Sequence, residues 1–251
     1  MENQVILIDK PAGISSFGVV AKVRGKLKAE FGHKVKVGHT GTLDPFATGL
    51  LILLTGQMTR KSNEFLKLDK VYEATLKLGF VSTTGDPEGE IQLYSPRDSE
   101  DWIRQRSSRD LWGQLAPQET TEPREDGREG VCLRRTVVES CLKSFIGKIN
   151  QTPPKFSAIK INGERAYKLA RANKYFEIPS REVEIYSIEI LEYDYPTLKI
   201  RCAVSSGTYI RTLAEDIGKK LGTGAYLTAL RRTKIADYSV EDAYQLSDFT
   251  N

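Results

Sequence analysis

The chain has 251 residues, 39% of them hydrophobic and 28% charged, with a formal net charge of +4. This composition supports one large domain with a sizeable core and excludes global disorder, and no apolar run approaches the roughly 18 residues of a membrane-spanning helix. Three scattered cysteines, Cys132, Cys141 and Cys202, match neither a zinc pattern nor a disulfide framework. The first residues, MENQVILIDKP, show no charged region leading into an apolar stretch, so a cytoplasmic address is expected. A mild positive charge permits nucleic-acid binding only where cations gather. They gather at residues 22–28, 165–174 and 231–234, each of which alone reads as a solvated helix face.

In chain order, residues 4–9 read as a short strand ended by Lys10-Pro11-Ala12-Gly13. Ser15 or Ser16 then caps a helix to about residue 30, whose Val19, Val20, Val23, Leu27 and Phe31 recur at helical spacing. Residues 37–56 read VGHTGTLDPFATGLLILLTG: a turn-dense stretch with His39 and Asp44, then the apolar run 50–54, the length of a buried strand. Pro45 pushes Asp44 towards an extended backbone, so its side chain stands away from the local fold. An Asp-Pro pair among glycines and threonines is equally a plain turn.

Residues 59–68 are expected as a helix, 71–78 as an alternating strand and 82–89 as a turn-rich loop. Residues 96–135 carry eight Arg and nine Asp or Glu, no Lys and few aliphatics, and so bury little area against their ordering entropy; the segment reads as a charged insertion. Helices are expected at 136–145 and 164–173. Long alternating strands at 181–193 and 197–205 suggest antiparallel neighbours. A helix follows from Gly207-Thr208-Tyr209-Ile210-Arg211 to about residue 221, and then a short strand at 226–230. Without strict βαβ alternation, the fold class expected is α+β: a mixed, mainly antiparallel central sheet flanked by helices.

Four separated strings stand in order along the chain. They are Lys10-Pro11 with Gly13 and Ser15-Ser16; Gly38-His39-Thr40-Gly41 with Leu43-Asp44-Pro45 and Ala47-Thr48-Gly49; Lys70-Val71-Tyr72 with Leu78-Gly79 and Asp86; and 207–211 with Leu230-Arg231-Arg232. Together they resemble the TruB family of tRNA pseudouridine synthases. The resemblance spans nearly the whole chain, residues 1–251, as one catalytic domain with an active-site cleft across its sheet. It implies isomerisation of uridine-55 in the T-arm of tRNA: the glycosidic C–N bond breaks, the uracil turns and rejoins through carbon. Such a reaction needs no cofactor and no metal.

Carried onto this sequence, the resemblance makes Asp44 the nucleophile and Arg211 the cation holding it ionised. Tyr72 becomes the ring that stacks on uracil, with a hydroxyl for proton removal at C5. Tyr209 and Leu230 line the same pocket, and His39 supports the extruded nucleotide. Asp86 matches a family aspartate near the site, although turn formation explains it equally well. The partner implied is the tRNA T-arm, met by a monomer without an obligate protein partner or membrane. Many members carry a C-terminal PUA domain beyond the position matching Phe249, and none is expected here. Two alternatives stay open. One is a synthase acting on another RNA. The other is a non-catalytic RNA binder using Gly38–Gly41 as the GxxG clamp of a KH domain, which would place it between two helices.

Overall fold

The alternating segments assemble into one sheet of ten strands among the described residues, which are 2–95, 133–161, 163–172 and 174–249 of a computed structural model. Helix α1 (Ser16–Phe31) follows strand β1 (Val5–Lys10), and Ser15 caps it by accepting from the Gly18 amide. Its Val19, Val20, Val23 and Leu27 pack on Leu51 and Leu53 of β3 (Thr48–Thr55). The opposite face of β3, Leu50, Ile52 and Leu54, is covered by Phe65 and Ile235. Cover on both faces is why this strand is uninterruptedly apolar rather than alternating. Each fully buried Leu or Ile there contributes about 2 kcal/mol.

Strands β4 (Lys70–Leu78), β10 (Arg181–Asp194) and β11 (Thr197–Val204) alternate because one face meets the core and the other does not. The sheet joins two parts. Strands β1 and β3 are antiparallel. Strand β12 (Ala225–Ile235) begins an antiparallel series through β4, β11 and β10 to β7 (Gly147–Gln151). The parts meet where β12 runs parallel to β3 at Arg231↔Thr48 and Arg232↔Gly49. Gly49, at φ +103°, permits that meeting, since a Cβ there would collide with the Arg232 backbone. Helices α3 (Arg135–Lys143) and α5 (Ile210–Lys220) cover the antiparallel part.

The α+β expectation is met, and four local expectations are corrected. Residues 59–68 form a 3₁₀ turn (Gly56–Lys61) followed by the single-turn α2 (Ser62–Leu66), because only Phe65 offers a buried anchor. The helix expected at 164–173 starts later: Gly163 turns β8 (Lys160–Ile161) onto β9 (Glu164–Arg165), leaving α4 as Ala166–Arg171. The strand expected at 226–230 continues to Ile235 through the basic cluster 231–234, which is therefore not a helix face. Its Arg232 is 1% exposed and satisfied by carbonyls, so its polar composition hid a central strand. The GxxG stretch begins inside β2 (Val37–His39) and leads towards β3 rather than joining two helices, which removes the KH reading. Most of the charged segment expected as an insertion, residues 96–132, lies outside the described residues, as does Cys132. Cys141 and Cys202 are buried free thiols, pushed up by burial to about 11 and about 12. Among the described residues no helix is long and apolar enough to cross a membrane.

Candidate active site

Residues 40–47 form the loop that enters β3 at the seam of the sheet, and three other elements grip its backbone. Lys10, at the end of β1, is fully buried and donates to the carbonyls of Pro11 and Ile14, both at 2.8 Å, and of Pro45 at 3.2 Å. Ser16, in the first turn of α1, accepts from the Leu43 amide at 2.8 Å and donates to the Leu43 carbonyl at 3.0 Å. Arg232 on β12 donates from Nε to Leu50 O at 2.7 Å and from Nη2 to Gly41 O at 3.1 Å. The residues on either side of Asp44 are thus pinned, and its side chain inherits a fixed direction. Burial pushes the Lys10 ammonium down to about 8, against the pull of Asp44 and with the help of Arg232.

Arg211 stands in the first turn of α5. That helix has no side-chain cap of its own; Gln151 at the end of β7 takes the place of one. Its Oε1 accepts from the Tyr209 amide at 2.7 Å and its Nε2 donates to Tyr209 O at 3.0 Å. Leu213, Ala214 and Ile217 bury the inner face of α5, so Arg211 is delivered to the cleft from a rigid base. Its Nη2 donates to Asp44 Oδ1 at 3.3 Å, and its Nε lies 3.0 Å from Oδ2 at an angle too poor for a hydrogen bond, so that second contact is ionic. The same guanidinium reaches Asp86 Oδ2 at 3.2 Å, Thr84 O at 3.0 Å and Phe156 O at 2.8 Å.

The Arg211 side chain is 4% exposed, whereas that of Asp44 keeps 31% of its surface open. The cation is structural ballast in the wall and the carboxylate is the accessible end of the pair. Burial pushes the Asp44 carboxyl up, Arg211 pulls it down, Asp86 pushes it up and Lys10 pulls it down; the balance lies above the ordinary value. Arg211 is thus in contact with Asp44, while desolvation opposes ionisation of the carboxyl. Glu88 is likewise pushed up by burial, by Asp86 and by Asp44.

A cleft of about 440 Å³ opens over this pair. Tyr72 from β4, Leu230 from β12 and Tyr209 at the head of α5 line it with Asp44 and Arg211, so five of the six expected site residues come together. His39 does not line it. It sits in β2 with its Nδ1 buried and unpartnered, and burial, Arg232 and Arg165 push its imidazole down, which keeps the ring neutral at pH 7. Asp86, which read equally as a turn residue and as a match to a family aspartate near the site, is the second carboxylate on Arg211, its Oδ1 accepting from Thr84 Oγ1 at 2.5 Å and from the Glu88 amide at 3.0 Å. The roles of Lys10, Ser16, Gln151 and Arg232 were missed. Lys10, Ser16 and Arg232 stand in the motif strings without an assigned role, and Gln151 carries no signal beyond a polar residue at the end of a strand. Among the described residues no group of three or more His, Cys, Asp or Glu is placed to hold a metal ion.

A family model described as TruB family pseudouridylate synthase (N terminal domain) matches residues 26–123 and 118–210, and one described as tRNA pseudouridylate synthase B C-terminal domain matches 211–251. The chain is 40% identical over 249 residues to a tRNA pseudouridine synthase B of Phocaeicola vulgatus, covering 99% of this chain and 92% of that protein. It is 39% identical over 251 residues to one of Flavobacterium johnsoniae, covering 99% and 95%. Among solved structures it is similar to a chain in the crystal structure of a Cbf5-Nop10-Gar1 complex, with a TM-score of 0.63 and 27% identity over 98% of this chain. It spans about half of that chain's length, 53%.

Proposed function

The chain belongs to the TruB family of pseudouridylate synthases, and from that membership we propose that it converts uridine-55 in the T-arm of tRNA to pseudouridine with Asp44 as nucleophile. Relatives at about 40% identity are named tRNA pseudouridine synthase B; the chain is an isomerase of that class. The observation that carries the residue assignment is the Asp44–Arg211 pair, with its carboxylate accessible at the cleft and its guanidinium buried behind it.

A carboxylate so placed attacks or stabilises the carbon centre as the N1–C1′ bond of uridine breaks. The uracil then turns so that C5 faces C1′, the C5–C1′ bond forms, C5 loses its proton and N1 gains one. Atoms and electrons balance without a redox partner, so the chemistry calls for no cofactor. Desolvation makes the Asp44 anion more reactive than one in water, and Arg211, with Lys10 behind the loop, limits how far it protonates. Tyr72 lies against the base, and its hydroxyl is the group available for the C5 proton. Tyr209 and Leu230 complete the walls that exclude water. His39, outside the lining and neutral, supports the extruded nucleotide rather than exchanging protons with it. The chain works as one cytoplasmic catalytic domain, a monomer without an obligate protein partner, and grips the T-arm with this domain.

The test is direct. Purified protein is incubated with unmodified tRNA transcript, and pseudouridine is mapped by carbodiimide-dependent primer-extension stops, in parallel with Asp44→Asn. A stop at position 55 with the native chain and none with the variant is the expected result. Modification that survives Asp44→Asn overturns the mechanism, and a stop elsewhere reassigns the substrate.

A further inference from the structure

Three arginines line the cleft, and two of them are fully accounted for: Arg211 by Asp44 and Asp86, Arg232 by backbone carbonyls. Arg181, at the start of β10, is held by an aromatic ring and one backbone carbonyl. Its guanidinium carbon lies 5.0 Å from the centroid of the Tyr209 ring, and its Nη2 donates to Gly207 O. Gly207 adopts φ +86°, which favours glycine, and a Cβ there would stand 3.3 Å from the guanidinium carbon, so the cation lies close over this turn. Among the described residues no carboxylate pairs with Arg181. Its Nε is buried without a partner, and its Nη1 has no hydrogen-bond partner and is not sealed from solvent.

A cation oriented in advance, uncompensated and facing a cleft is a site for an anion. Arg181 is not among the charges that shift Asp44. Lys67 and the hydroxyl-bearing turn 205–208 share the lining with it, which adds positive charge and hydrogen-bonding capacity on the same wall. With the guanidinium over the Tyr209 ring, Nη2 engaged by Gly207 O and Nε buried, Nη1 is the donor left to meet an anionic oxygen in the cleft. Resting on the reading of the chain as an RNA-modifying enzyme, the geometry points to Arg181, seated on Tyr209 and Gly207, as the subsite for a phosphodiester flanking the nucleotide held at Asp44.

The test is a binding cycle with the full chain and a T-arm RNA hairpin carrying a single neutral methylphosphonate on the 5′ or the 3′ side of the target uridine. One of the two neutral hairpins is expected to bind the native chain about ten- to a hundredfold more weakly than the all-phosphate hairpin. Arg181→Gln weakens binding of the all-phosphate hairpin by a similar factor, Arg181→Lys recovers part of it, and combining Arg181→Gln with the neutral phosphate costs no more than either change alone. Losses that add, or full affinity of the native chain for both neutral hairpins, overturn the subsite. The second outcome needs no variant, so a folding defect of Arg181→Gln, visible in its melting curve, does not shield the proposal. If the native chain makes no pseudouridine in the all-phosphate hairpin, the reading of the reaction fails, and the binding cycle still decides the phosphate contact.

Discussion

The two walls of the cleft are built on opposite principles. The loop 40–47 is held from outside by β1, α1 and β12, through two buried cations and a buried serine that make four hydrogen bonds to its backbone at Gly41, Leu43 and Pro45. The segment that brings Ser157 and Ala158 to the other wall is held largely by itself: Tyr167 donates to Ser157 O and Ala166 to Ile159 O, while Arg211 and Thr212 of α5 reach in to Phe156 O and Thr152 O. Few of its side chains are buried, Ser157 and Ala166 among them. A carboxylate that must meet a bond within a fraction of an ångström belongs on the first kind of wall. A surface that must admit and release a folded RNA belongs on the second, since local opening is cheap where few apolar contacts are broken.

The contrast is sharpest at Asp44 itself. Asp44→Asn is expected to lower turnover by about 10⁴-fold or more, while RNA affinity changes little. Its stability has a defined sign. The folded carboxyl is raised above its unfolded value, so the native state holds more protons between the two values and stability from this group falls as pH rises through that window. At neutral pH the ionised group therefore opposes folding, and the variant should melt at the same temperature as the native chain or higher. A clear drop in melting temperature would show that the pair with Arg211 stabilises the fold after all.

Gly49→Ala attacks the rigid wall through its backbone. A left-handed φ and a collision with the Arg232 backbone together predict a loss of about 3 kcal/mol in urea denaturation, with loss of turnover. Arg232→Met keeps the volume but strands the Leu50 and Gly41 carbonyls, which predicts a loss of about 2 kcal/mol in the same measurement. On the other wall, Tyr167→Ala is expected to cost less than about 1 kcal/mol. Native-state hydrogen exchange should rank the walls likewise, with the Thr40 and Leu43 amides protected longer than those of Tyr167 and Ala172. Equal protection would erase the distinction.

Much of the molecule was legible in the chain because its signals are local. The run 50–54, the alternation over 70–78 and the spacing of Val19, Val20, Val23 and Leu27 each report how many faces of one element are covered. Asp44, Tyr72, Tyr209, Arg211 and Leu230 were found through motifs, and the cleft unites them. The misses share a cause. The end of β12 was lost because Arg231, Arg232 and Lys234 look solvated until β3 and β4 are placed on either side of them. Asp86 read as a turn residue and as a site residue on equal terms, because its partner Arg211 lies more than a hundred positions away.

By itself, then, the sequence determined the elements and the residues able to do chemistry, because hydrophobic period and turn preference act over a few neighbouring residues. Only the tertiary structure decided which buried cations take carbonyls and which take carboxylates, that Asp44 is open while Arg211 is enclosed, and that His39 stands outside the lining. Those outcomes depend on which distant chain segments fill the space around a charge, and desolvation is a property of that surrounding rather than of the residue.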